Sequence, residues 1–224
     1  MIRASTTPGR AFWTMFLAGL LPMVAANAAF MINAILGMEA CFPYWEGCMS
    51  VSRGIRSGPG LWLFKGLAMP SALMMWLAWR SLDAHPGTDG FRHPHLRWAI
   101  TLGKVGAVFF VVYALWLGSD GEIYRWLRRY GVVLYFGLTG LAQLLLLPAW
   151  PRSEGRANTS RRLYAAVVLL AWGTGIASAF KRKLIEDPRF LDRVENVLEW
   201  HFALYLSLGF VALALALRKR RHEV

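Results

Sequence analysis

Six long apolar runs, at about 11–36, 61–79, 98–117, 131–150, 163–180 and 197–217, constrain this chain more than any other feature of its sequence. A nearly charge-free run of about 18 residues or more, coiled into a helix, crosses the roughly 30 Å hydrocarbon layer of a bilayer. Lipid offers no partner to a bare backbone amide, so each run has to be helical. The expected fold is all-α: a polytopic bundle of six transmembrane helices, one membrane domain over 1–224, with an outer loop at 37–60. Hydrophobic residues make up 56% of the chain and charged residues 17%, which leaves no stretch suited to a separate water-soluble domain. The first run follows a basic start, as a signal peptide does. Its length of about 25 apolar residues exceeds a signal-peptide core, and it reads as a retained helix.

A net charge of +12 would point to nucleic acid in a soluble protein, but its distribution points elsewhere. Six spans put the N-terminus, the second and fourth connections and the tail on one side, with thirteen basic residues against four acidic. The other three connections, taken together with Glu199 at the start of the last run, carry ten basic residues against nine acidic. That asymmetry, +9 against +1, predicts cytoplasmic termini by the positive-inside tendency, with the 37–60 loop periplasmic, lumenal or extracellular. A basic cytoplasmic rim suits anionic lipid. The expected partners are therefore membrane lipids and not nucleic acid, with a membrane-protein partner or a homo-oligomer left open.

The polar residues inside this apolar frame are the candidates for function. Cys41 and Cys48, the only cysteines, flank Pro43 and Gly47 on the expected oxidising side. They can close a disulfide there or stand as free thiols. A closed loop would fix Phe42, Tyr44 and Trp45 at the interface, where aromatic residues settle. Asn27 and Asn33 in the first run suit hydrogen bonds across helix contacts. Lys65 is close enough to the outer end of the second run to snorkel, and Pro70 is expected to bend that helix. Lys104 lies deeper, so it is expected to face the interior, with Gln143, backbone carbonyls or lipid phosphate as partner. His85, His93 and His95 share a Pro- and Gly-containing connection that reads as a solvated turn, and no metal site or cofactor is expected. The segment Ser119–Arg129 reads as a brief surface helix ahead of the fourth run, which Pro148 and Pro151 end.

Glu199 and His201 invite an acid–base reading, but residues two apart on a helix point about 200° away from each other. Glu199 shares its face with Asn196, Ala203 and Ser207, and His201 shares its face with Tyr205 and Leu208. Depth suggests another pairing, Lys65 with Glu199, beneath the outer loop.

Three stretches resemble the Frag/DRAM/Sfk family of six-helix membrane proteins, which includes the damage-regulated autophagy modulators and a factor acting after attachment of glycosylphosphatidylinositol anchors. Ser50-Val51-Ser52-Arg53-Gly54 with Pro59 and Phe64 is similar to the family's serine–glycine–proline–phenylalanine approach to its second helix. Tyr130-Gly131, Tyr135-Phe136-Gly137 and Gln143 resemble its fourth helix, and Glu199-Trp200 with the aromatics that follow resembles its sixth. The chain departs from the family at Arg53 and Gly60, where acids are frequent, and at Tyr130, where a histidine is. The resemblance implies association with lipid, through remodelling of anchored lipids, lipid organisation or scaffolding of partners, and carries no catalytic mechanism.

The leading expectation is a protein that receives a lipid headgroup at its outer face, with Ser50, Ser52, Arg53, Arg56, Lys65, Glu199, Trp200 and His201 as candidate contacts. Lys65 would engage phosphate and Glu199 would hold Lys65. Asn33, Lys104 and Gln143 are the candidate buried polar residues. A lipid-modifying enzyme is the alternative, with His201 or Glu199 as general base near Ser50 or Ser52. A small transporter, supported by Lys104 and Pro70, is a second.

Overall fold

Residues 8–84, 94–149 and 156–219 are described in the computed structural model, and they are helical apart from short connections. The long helices are α1 (Pro8–Ile35), α4 (Gly58–Ala84), α5 (Pro94–Trp116), α6 (Glu122–Ala149), α7 (Arg156–Leu184) and α8 (Pro188–Lys219). Between α1 and α4 lie two short ones, α2 (Pro43–Glu46) and α3 (Val51–Ile55). All six long helices are apolar and extended enough to cross a membrane, so the chain is a six-helix, all-α membrane bundle.

The best-packed pairs are α1 with α4, α5 with α6, and α7 with α8, which makes three antiparallel hairpins. Contacts of α1 with α8 and of α4 with α5 join the hairpins, while α6 meets α8 only sparsely. Between helices in lipid there is little hydrophobic drive, and close van der Waals approach replaces it. Small residues supply that approach: Gly19 lies on the Ser207 carbonyl and Phe210, Gly103 on the Trp79 indole, and Gly131 on the Tyr113 backbone. The three hairpin connections, 36–57, 117–121 and 185–187, lie at one end of the bundle, here called the loop face.

Two expected boundaries are corrected. Ser119–Arg129 is not a separate surface helix, because α6 starts at Glu122 and runs unbroken into the apolar span. Nothing between Glu122 and Arg129 breaks a helix, and Gly131 is retained inside it for contact with α5. The charged stretch before the last span is likewise almost wholly helical, interrupted only at 185–187. Asp187 closes that break: its side chain accepts from the Arg189 amide at 3.1 Å, its carbonyl accepts from Leu191, and Pro188 occupies the first helical position. α4 continues through Pro70 to Ala84, and α6 extends one residue beyond Pro148. His85, His93 and Pro151 lie outside the described residues, and His95 is the second residue of α5.

Candidate functional site

The 36–57 connection folds down on the bundle as a cap. Pro43 opens α2, and Gly47 ends it with φ of 61°, a conformation glycine adopts without steric cost. Any side chain at Gly47 would also strike the Arg193 carbonyl of α8. Cys41 and Cys48, at disulfide distance with Cα atoms 6.5 Å apart, bracket this turn. Ser50 then caps α3 by accepting from the Arg53 amide at 3.2 Å.

Side chains from α1 and α8 hold the cap in register. Asn33 donates to the carbonyls of Gly54 at 3.0 Å and Ser57 at 2.9 Å, and its oxygen accepts from the Gly60 amide at 3.0 Å. Asn196 donates to the Gly47 carbonyl at 2.8 Å, and Trp200, almost fully buried, donates to Met49 at 3.0 Å. Tyr44 exchanges hydrogen bonds with the Asn27 amide, and its ring lies 5.2 Å from that of Trp200.

Under the cap, α1, α4, α5, α6 and α8 surround a chamber of about 40 Å³, room for about two or three water-sized groups. Its lining includes Asn27, Tyr44, Tyr113, Tyr135, Glu199 and Ser207 together with the faces of Phe64, Phe110, Phe136 and Trp200. Glu199, Ala203 and Ser207 line it together, as their shared helical face requires. The Glu199 carboxyl group faces the backbone amides of Ser52 and Val51 at the start of α3, which favour its charged form. The Ser52 hydroxyl is 3.0 Å from that of Tyr113.

Several candidate residues have other roles. The Lys65–Glu199 pair does not form: Lys65 lies over the ring of exposed Trp62, 5.6 Å from its centroid, while Glu199 is held by α3. Among the described residues the ion pairs are Arg53–Asp192 and Lys181–Glu195. Arg53 is thus a tie between cap and α8, and Arg56 is exposed at the end of α3. His201 turns away from the chamber, its Nδ1 2.9 Å from the Val197 carbonyl and its ring edge-on to Tyr44. It does pack near Tyr205, as expected from their spacing.

Asn33 and Gln143 are buried as expected. Lys104 is only half-buried and lies over the Trp76 ring at 5.8 Å, not against Gln143. Trp76 is itself partly exposed, so a long side chain can follow it toward the surface rather than enter the core. Gln143 instead donates to the Leu206 carbonyl at 2.9 Å in the α6–α8 contact, where Gly209 leaves space for its amide.

Tyr113 was not singled out from sequence, and Tyr135 only within the motif resemblance, although a tyrosine within a long apolar helix is a signal that its hydroxyl needs a partner. The fold and site define a polytopic helical membrane protein with a capped, aromatic-lined chamber containing one carboxyl group. No model of a known protein family, no curated protein and no solved structure matches the chain.

Proposed function

We propose that this is a lipid-binding membrane protein whose site is the chamber beneath the cap, open to a headgroup rather than to a water-soluble substrate. The observation that carries the reading is the position of a chamber with a carboxyl group, an amide and phenol hydroxyls inside a bundle of membrane-length helices. Polar groups at such depth are costly unless they serve a partner or a pathway. The sparse α6–α8 contact, closed by Phe136 and Phe202 with ring centroids 5.2 Å apart, is the natural lateral approach from the bilayer. The motif resemblance to the Frag/DRAM/Sfk proteins supports the same class of role, in lipid organisation or remodelling. The charge asymmetry supports cytoplasmic termini and a loop face on the periplasmic, lumenal or extracellular side.

A lipid-modifying enzyme using His201 is less favoured, because that ring lies outside the chamber. The test is extraction of the protein with its surrounding lipid, followed by native mass spectrometry. Wild-type protein should carry lipid adducts, and Ala203→Leu, which fills the chamber from the Glu199 face, should lose most of them. Equal adducts on both proteins would end this reading.

A further inference from the structure

The chamber has a charge balance that the expectation of a phosphate site did not anticipate. Its lining contains the Glu199 carboxyl group and seven aromatic residues, Tyr44, Phe64, Phe110, Tyr113, Tyr135, Phe136 and Trp200, and no Lys, Arg or His. Neither ion pair among the described residues includes Glu199. A phosphate group would meet a carboxyl group and the negative faces of aromatic rings, while the cations whose charge reaches the site, Arg53 and Arg128, lie outside the lining and Arg53 is already paired with Asp192. Such a lining repels an anion.

The same lining attracts a cation. Aromatic faces draw an ammonium group toward them, most strongly where water is excluded. A carboxylate has about four lone-pair positions, more than the two backbone amides of Ser52 and Val51 facing Glu199 can fill, so acceptor capacity remains on it. Arg53 is the favourable charge nearest in effect to Glu199, but its guanidinium is paired with Asp192, so a proton or a cationic guest is still needed to balance the buried carboxylate.

We propose that the chamber accepts the primary ammonium end of a zwitterionic headgroup, as an ethanolamine lipid presents it, leaving the phosphate outside at the α6–α8 contact. This rests on the lipid-binding reading above and names the chemical class for it. Hydrogen-bonding capacity makes the choice among ammonium groups. A primary –NH₃⁺ can use the polar groups in the lining, whereas each methyl of a trimethylammonium group would bring bulk and no donor into the same small chamber. Three N–H donors also match the acceptors available on Glu199, Tyr113 and Asn27, whereas a quaternary ammonium has none to give.

The deciding experiment is native mass spectrometry of the full chain reconstituted in phosphatidylglycerol nanodiscs doped in turn with phosphatidylethanolamine or phosphatidylcholine. Wild type should retain phosphatidylethanolamine about tenfold or more over the other two lipids. Glu199→Gln, which keeps the shape and removes the charge, should reduce that preference by about tenfold, the range of a hydrogen bond to a charged group. The wild-type ranking alone is decisive, so a variant that fails to fold does not remove the test. Retention of phosphatidylcholine or phosphatidylglycerol equal to phosphatidylethanolamine overturns the ammonium assignment and leaves the lipid reading standing. A protein that retains no phospholipid, yet is stabilised against heat by free ethanolamine through Glu199, keeps the ammonium assignment and overturns the lipid reading. Response to neither probe overturns both.

Discussion

Arg53 of the cap donates to both carboxylate oxygens of Asp192, at 2.7 and 3.0 Å, across 139 residues of sequence. The same nitrogen reaches Asn196 at 2.9 Å, so one guanidinium fixes α3 against two successive turns of α8. Both charged side chains are substantially exposed, at 41% and 53%. Pairs of that kind are worth about 0–1 kcal/mol, so this one sets register more than global stability. Arg53→Ala should speed amide exchange across 41–57 while leaving the melting temperature of the bundle within a few degrees of wild type. A large fall in melting temperature would mean that the cap and bundle unfold as one unit.

The Cys41–Cys48 bridge closes a small loop around α2. The chain-entropy estimate for a loop of this length gives about 2–3 kcal/mol, all of it acting locally on the cap. Reduction should therefore release α2 and make the Pro43–Glu46 turn sensitive to protease, with the six long helices intact by circular dichroism. Unchanged protease resistance after reduction would show that Asn196, Trp200 and Tyr44 suffice to hold the turn.

Tyr44 gives the cap a dependence on high pH. Burial raises its pKa above the ordinary 10.0, more than the hydrogen bond from Asn27 lowers it. A raised folded-state value means that the folded protein holds the proton more tightly than the unfolded chain does. The stabilisation linked to Tyr44 is thus complete below about pH 10 and is lost as pH rises through the higher folded value. The difference in melting temperature between wild type and Tyr44→Phe should stay constant up to about pH 10 and shift against wild type above it. A constant difference across that range would show that Tyr44 ionises as an exposed phenol does.

The spans were legible because their signal is local: each run of apolar residues has only one backbone solution in lipid. Helical phase also grouped Glu199 with Ala203 and Ser207, and separated Glu199 from His201, without any tertiary information. The pairing of Lys65 with Glu199 failed because similar depth says nothing about rotation around a helix axis. Lys65 faces outward beside Trp62, and that choice depends on which side of α4 meets α1 and α5. The chamber itself was hidden for the same reason. Its lining comes from seven helices, and no short sequence window contains more than a few of those residues. Asn33 illustrates the middle case: its burial in a contact was expected from residue type, but its acceptors lie 21 and 24 residues away and needed the folded cap.

Asn33 also supports the strongest stability prediction. Its side chain satisfies two carbonyls, of Gly54 and Ser57, and one amide, of Gly60, where α1, the end of α3 and the start of α4 converge. Gly58 and Gly60 leave the space its amide occupies, since a Cβ on either would press on the Asn33 oxygen. Asn33→Leu keeps the branched arrangement of heavy atoms and is more apolar, which would favour insertion if hydrophobicity alone mattered at this depth. Yet it would leave three backbone groups without partners in a buried contact, at about 1–3 kcal/mol for each that water cannot reach. Asn33→Asp keeps the acceptor for Gly60 and loses both donors, so it should fall between wild type and Asn33→Leu only if the new carboxyl is protonated. The expected order of melting temperature at neutral pH is wild type, then both variants well below it, with Asn33→Asp recovering part of its loss in acid and Asn33→Leu recovering none. Wild-type stability in Asn33→Leu would show that water reaches the three backbone groups and that the cap is held chiefly from the α8 side.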